Sequence, residues 1–171
     1  MAASDAVLIS LGSNVDPETH LPRAVALLAE RYPVTAASSV WRSAPVGRTD
    51  QPAFANAAVR LTVSGVTAAE LKAELRAIED AMGRVRDPAD PCGPRTIDLD
   101  LSLFGGLVSD APPLPDPDLF SRWFVAIPLA EVAGEVTVPD DGRTVAAIAQ
   151  TLRSEIDGER VAWELLATLD A

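Results

Sequence analysis

The segment Arg95-Thr96-Ile97-Asp98-Leu99-Asp100-Leu101 constrains this chain more than any other. Three aliphatic residues alternate with two aspartates, and a period of two is that of a β-strand, whose successive side chains leave on opposite faces. Folded in this way, residues 97–104 bury Ile97, Leu99 and Leu101 on one face. Asp98 and Asp100 then project together from the other, about 6–7 Å apart at their Cα atoms.

Other elements can be read around this strand. Residues 6–11 are a short aliphatic strand ending at the turn Gly12-Ser13-Asn14. Asp16-Pro17 supplies an N-cap and an N1 proline for a helix over residues 17–30, with Leu21, Val25 and Leu28 at helical spacing. Residues 34–43 and 54–63 read as strands of a wide hairpin around a turn-rich loop, 44–52. Thr67-Ala68-Ala69-Glu70 matches a capping box, followed by the stripe Leu71, Leu75, Ile78 and Met82 and a stop at Gly83. Pro88, Pro91, Gly93 and Pro94 make residues 84–95 a loop. The proline-rich stretch 111–117 is an extended connector, because proline fixes φ and removes a donor. Residues 118–132 are helical over part of their length, and Thr144 caps a short helix reaching Leu152. The last fifteen residues carry no clear signal. Strands and helices interleave without a regular βαβ rhythm, which predicts an α+β fold with helices packed on a sheet and not a doubly wound parallel one.

At 171 residues, 48% of them apolar, the chain is expected to fold as one domain over residues 1–171. Cys92 has no cysteine to pair with, residues 1–5 lack the basic flank and apolar run of a signal peptide, and no stretch approaches the ~20 apolar residues of a membrane span. A cytoplasmic monomer is expected. The net charge of −11 opposes binding to nucleic acid or anionic lipid. An anionic small ligand needs concentrated positive charge or a bridging divalent cation. Lys72 is the only lysine, so the other cationic side chains are guanidinium groups, suited to bidentate contacts with phosphate or carboxylate. Genome-wide composition bias would produce the same excess.

Two like charges side by side repel unless a cation lies between them, and Mg²⁺ with phosphate is the natural candidate for Asp98 and Asp100. Taken alone, Asp-x-Asp is better explained by a solvated strand face. Its neighbours add weight: Arg84, Arg86 and Arg95 bracket the upstream loop and Arg122 follows the proline-rich connector, all able to hold phosphate oxygens or simply to pair with nearby acids. Neither a Walker loop nor a Gly-x-Gly-x-x-Gly turn is present. Gly12-Ser13-Asn14 is a permissive turn whose backbone amides and Asn14 amide could face a ligand; taken alone it is only a turn. The only histidine, His20, is expected at the helix surface, which leaves no Ser-His-Asp triad and no Cys/His metal site.

Taken in order, Leu11-Gly12-Ser13-Asn14, Ser39 to Ser43, Asp50 to Asn56, Glu79 through Gly83-Arg84-Val85-Arg86, Gly93 to Asp100 and Arg122-Trp123-Phe124-Val125 resemble the 6-hydroxymethyl-7,8-dihydropterin pyrophosphokinase family. The resemblance covers nearly the whole chain. It implies a ferredoxin-like α+β sandwich with a mainly antiparallel sheet, and an enzyme of folate biosynthesis that moves the pyrophosphoryl group of ATP to a pterin alcohol. It implies two Mg²⁺ ions on Asp98 and Asp100, with Arg84 and Arg95 joining these aspartates in catalysis. Ser43, Val46, Phe54, Asn56 and Phe124 would line the pterin site; Glu79, Arg84, Arg86, Arg95, Leu101 and Arg122 would lie on the ATP side. The loops at Gly47 and at residues 87–92 would close over both substrates. The chain departs from the family at Asp116, where a histidine is usual, near Cys92, where a tryptophan is frequent, and at Pro113. Two other readings fit the residues: a noncatalytic pterin binder with an impaired nucleotide site, and an interaction module in which Asp98 and Asp100 are a solvated face.

Overall fold

The computed structural model describes residues 5–163 and Leu165. In chain order the elements are β1 (Val7–Ser13), α1 (Pro17–Ala29), β2 (Val34–Ala37), β3 (Val40–Ser43), β4 (Phe54–Leu61), α2 (Ala68–Ala81), β5 (Asp98–Phe104), β6 (Ser109–Asp110), β7 (Pro113–Leu114), α3 (Trp123–Ala133), α4 (Val145–Leu152) and β8 (Glu159–Val161). The main sheet runs β5-β1-β4-β3-β8, with β2 also on β4, and every pairing in it is antiparallel. Up to β5 the order is β-α-β-β-β-α-β; β2 and β3 both lie on β4, and taken as one interrupted strand they give the β-α-β-β-α-β order of a ferredoxin-like sandwich, the fold that the resemblance implies.

The pleat sorts the strands into two cores. Val7, Ile9 and Leu11 of β1, Ala55, Ala57 and Val59 of β4, and Leu99 and Leu101 of β5 pack beneath α1 and α2. Leu8, Ala58 and Leu103 point the other way, under α3 and α4. Thr67 and Glu70 close a reciprocal cap at the start of α2, with bonds of 3.2 and 2.8 Å. Such a cap contributes about 1 kcal/mol. Burying Leu71, Leu75 and Ile78 contributes about 1.5–3 kcal/mol apiece. Packing therefore holds the helix, and the cap fixes where it begins.

Three local expectations are corrected. Asp16 occupies the N-cap of α1 in a left-handed conformation, φ 45°, with no side-chain cap. Its carbonyl accepts from Thr19 and His20, because the preceding Asn14 and Val15 amides are held by the Arg95 carbonyl and the chain must turn sharply. The strand read over 34–43 divides into β2 and β3 at Ser38-Ser39, where the Ser38 hydroxyl accepts the Ala58 amide at 2.8 Å in place of a backbone carbonyl. His20 is half-buried, its Nδ1 2.6 Å from the Val15 carbonyl oxygen. Residues 157–163 of the stretch without signal contain β8; Glu164 and residues 166–171 lie outside the described residues.

Candidate active site

The face of the sheet turned away from α1 and α2 carries the cleft. Gly12 stands in register between Asn56 of β4 and Asp98 of β5, and Ser10 between Ala58 and Asp100. Directly paired antiparallel residues are about 4.5–5.5 Å apart, so two rows of side chains flank a strip of β1. Glycine keeps that strip low. A Cβ on residue 12 would meet nothing nearer than Asn56 Oδ1 at 3.8 Å, so the room above it belongs to the cleft and not to the protein interior. Ser10, Gly12, Ser43, Asn56, Asp98 and Asp100 line one continuous cleft.

On the β4 side, Asn56 Nδ2 donates to the Trp41 carbonyl at 3.0 Å and to Ser43 Oγ at 2.8 Å. The carbonyl can only accept, which fixes the orientation of the amide. Both amide protons are engaged, and Oδ1 faces Gly12 as a presented acceptor. Phe54 and Phe124 line the same cleft with Ser43, and Val46 stands half-exposed at its rim. A cation backs each ring: the Arg95 guanidinium lies 5.8 Å from the Phe54 centroid and that of Arg122 lies 5.8 Å from Phe124.

On the β5 side the two aspartates share the cleft but not their counter-ions. Asp98 Oδ1 accepts Arg84 Nε at 3.0 Å, and Oδ2 accepts Arg95 Nη1. Among the described residues no ion pair joins Asp100 to a guanidinium. Desolvation, and then the field of Asp98, Asp116, Glu79 and Asp118, push its carboxyl up to about 7. Solvent reaches it through the cleft mouth while protein surrounds it on the other sides. Such an unbalanced pair fits a hard divalent cation. Among the described residues no three or more His, Cys, Asp or Glu side chains converge into a ready-made cage. Mg²⁺ does not need one, because it usually takes one or two carboxylates and completes its shell with substrate phosphates and water.

The remaining expected residues lie around the cleft. Arg122 lines it and pairs with Asp118 at 3.3 Å. Arg84 reaches Asp98 from an adjoining depression that it shares with Arg86, Asp87 and Asp90. Glu79 is buried; its oxygens accept the Leu99 amide at 3.2 Å and Arg86 Nη2 at 2.7 Å, so it ties α2 to β5 and holds Arg86. Burial raises its pKa. The Leu101 side chain lies in the core on the opposite face of β5. Asp116 turns its carboxylate to the Asp118 amide, 3.0 Å, capping the 3-10 turn Pro117–Phe120, and burial raises its pKa also.

Asn14 does not face a ligand. Its amide donates to Gln51 Oε1 and the Pro52 carbonyl, and its Oδ1 accepts the Arg95 amide, at 2.8–3.1 Å. It braces the loops on either side of the cleft. Gln51 also donates to the Cys92 carbonyl at 2.6 Å, and Arg48 bridges Asp50 and Asp90. Gly47, at φ 79°, leaves the space into which the Cys92 thiol fits. Cys92 lines the cleft, as do Ser10 and Asp118, which carry no signal of their own in the sequence. Extending the first strand through Gly12 would have placed Ser10 beside it on the same face.

A family model described as 7,8-dihydro-6-hydroxymethylpterin-pyrophosphokinase (HPPK) matches residues 8–134. The chain belongs to the HPPK family. The 2-amino-4-hydroxy-6-hydroxymethyldihydropteridine pyrophosphokinase of Bacillus subtilis is 41% identical over 133 residues, covering 75% of this chain and 78% of that one. That of Pseudomonas aeruginosa is 39% identical over 139 residues, covering 78% and 84%. Among solved structures, wild-type HPPK-DHPS of Plasmodium falciparum with pteroate superposes with a TM-score of 0.69 at 12% identity, over 91% of this chain and 45% of that one. At that identity the shared property is the HPPK fold.

Proposed function

We propose that the cleft is where the chain transfers the pyrophosphoryl group of ATP to 6-hydroxymethyl-7,8-dihydropterin, giving the pterin diphosphate and AMP in folate biosynthesis. The observation that carries the reading is one trough, floored by Gly12, that brings together an oriented amide acceptor, two aromatic rings and the acidic pair. A solvated acidic face would lie open instead of forming a cleft wall. A binder without catalysis would have no use for the acidic pair beside the acceptor slot.

In this reading Asn56 Oδ1 accepts from the ring edge of the pterin, with Ser43 and Val46 beside it, and Phe54 and Phe124 hold the ring by stacking. Asp98 and Asp100 would hold Mg²⁺, two ions in the full site, which supplies charge neutralisation of the triphosphate and a lowered pKa for the acceptor alcohol. Arg84 and Arg95, which neutralise Asp98 in the structure, are placed to turn to phosphate oxygens; Arg122 and Arg86 add positive charge at the cleft edge. Glu79 fixes Arg86, and the backbone of Leu101 continues the strand that carries the aspartates. The pterin hydroxymethyl oxygen releases its proton to water and bonds to the β-phosphorus in line with the breaking bond to the bridging oxygen, which leaves on AMP. The linked loops at Gly47 and Cys92 close over both substrates and exclude water as a competing acceptor.

No helix among the described residues is long and apolar enough to cross a membrane. The same reading keeps residues 1–171 as one domain, a cytoplasmic monomer acting on small molecules and not on nucleic acid. A calorimetric titration with a nonhydrolysable ATP analogue, Mg²⁺ and the pterin tests it. Binding of each substrate, with nucleotide binding lost without Mg²⁺, is expected; pterin binding with no Mg²⁺-dependent nucleotide binding would leave only a pterin binder.

A further inference from the structure

β8 lies beyond residues 8–134, the span matched by the family model, and yet it reaches the cleft wall. It pairs antiparallel with β3, Trp41 opposite Arg160 and Arg42 opposite Glu159, and the latter pair forms an ion pair at 2.7 Å. Just before it, Asp157 Oδ1 accepts the indole N–H of Trp123 at 3.1 Å. Gly158 packs so closely that a Cβ would collide with the Arg42 carbonyl and stand 2.9 Å from Trp123 Cη2. Trp123 is buried, opens α3, and meets Trp41 and Phe124 edge to face at centroid distances of 6.1 and 5.8 Å. The clip thus joins the end of β3, which carries Ser43, to the start of α3, which carries Phe124.

We propose that Asp157 and Gly158 are positioning residues for the acceptor slot: through Trp123 they set where the Phe124 ring stands. This rests on the reading of Phe124 as a wall of the pterin site. A tryptophan buried at the first turn of a helix has one polar atom to satisfy, and the Asp157 bond fixes the rotation of its ring. The ring in turn limits the positions open to Phe124, its edge-to-face neighbour. Gly158 supplies the close approach without which the carboxylate cannot reach the indole.

Steady-state kinetics with saturating ATP, together with calorimetric binding of the pterin, test the proposal. Asp157→Ala is expected to raise KM and Kd for the pterin about three- to tenfold, with kcat and the KM for ATP changing by less than about twofold. Asp157→Asn, whose Oδ1 still accepts from the indole, restores the wild-type values. Trp123→Phe keeps a ring but removes the donor; it is expected to reproduce the Asp157→Ala shift, and the double variant to add nothing to either. A purely structural role would lower the unfolding temperature and the active fraction and leave pterin KM and Kd unchanged, and that result overturns the proposal. So does an equal shift for ATP. Wild-type protein that binds no pterin overturns the acceptor reading and this one with it; normal wild-type binding with unaltered variants overturns this one alone.

Discussion

Asp98 and Asp100 stand two residues apart and differ in their counter-ions. Asp98 sits between two guanidinium groups, whereas Asp100 is exposed to the field of four other carboxylates. Its folded pKa of about 7 lies above its ordinary 3.8, so in the ion-free protein the folded state binds the extra proton across that window. The contribution of this group is most favourable below pH 3.8 and is lost as pH rises through 7, with burial moving Glu79 and Asp116 in the same direction. Denaturant unfolding of ion-free protein at pH 5 and pH 8 is expected to give a smaller loss of stability for Asp100→Asn than for wild type. Mg²⁺ affinity, which requires the deprotonated carboxylate, is expected to rise through the same range. Gly12 offers a second test at this scale. Its floor position has room for a methyl group, so Gly12→Ala is expected to stay within about 1 kcal/mol of wild-type stability. The same methyl group obstructs the bound ring, and pterin affinity measured by calorimetry is expected to fall about tenfold or more.

Among the elements, the clip at β8 shows how much a three-residue strand holds. Gly158→Ala forces the β3–β8 pairing apart and is expected to cost about 1–3 kcal/mol, measured as a lowered denaturation midpoint. Glu159-Arg160-Val161 is too short and polar to announce a strand, because what makes it one is the tertiary pairing with β3. The break at Ser38-Ser39 was hidden for the same reason: it depends on the Ala58 amide finding a hydroxyl twenty residues away in sequence. β5 and α2 were legible because their signals are local. The pleat separates Asp98 and Asp100 from Leu99 and Leu101 wherever the strand lies, and a capping box followed by an i, i+4 stripe needs no partner to be read. The role of Asn14 stays open in the sequence because a polar residue after a strand looks the same whether it meets a ligand or, as here, ties two loops together.

Seen whole, the molecule is a sheet covered on one face by α1 and α2 and on the other by α3 and α4, with the cleft open over β5, β1 and β4. That order of strands brings residues 12, 56 and 98 into one row, a placement that no sequence interval contains. The net charge of −11 works against compactness, so added salt is expected to raise the unfolding temperature by screening. MgCl₂ is expected to raise it further than NaCl at equal ionic strength if, as proposed, Mg²⁺ also binds the native cleft. What sets this chemistry apart from that of a simple kinase is the group transferred. Phosphorus NMR of a reaction containing ATP, Mg²⁺ and 6-hydroxymethyl-7,8-dihydropterin reads this directly. The expected spectrum shows AMP and a pterin diphosphate accumulating in equal amounts, without ADP; ADP with a pterin monophosphate, or ATP left intact by well-folded protein, would contradict the account.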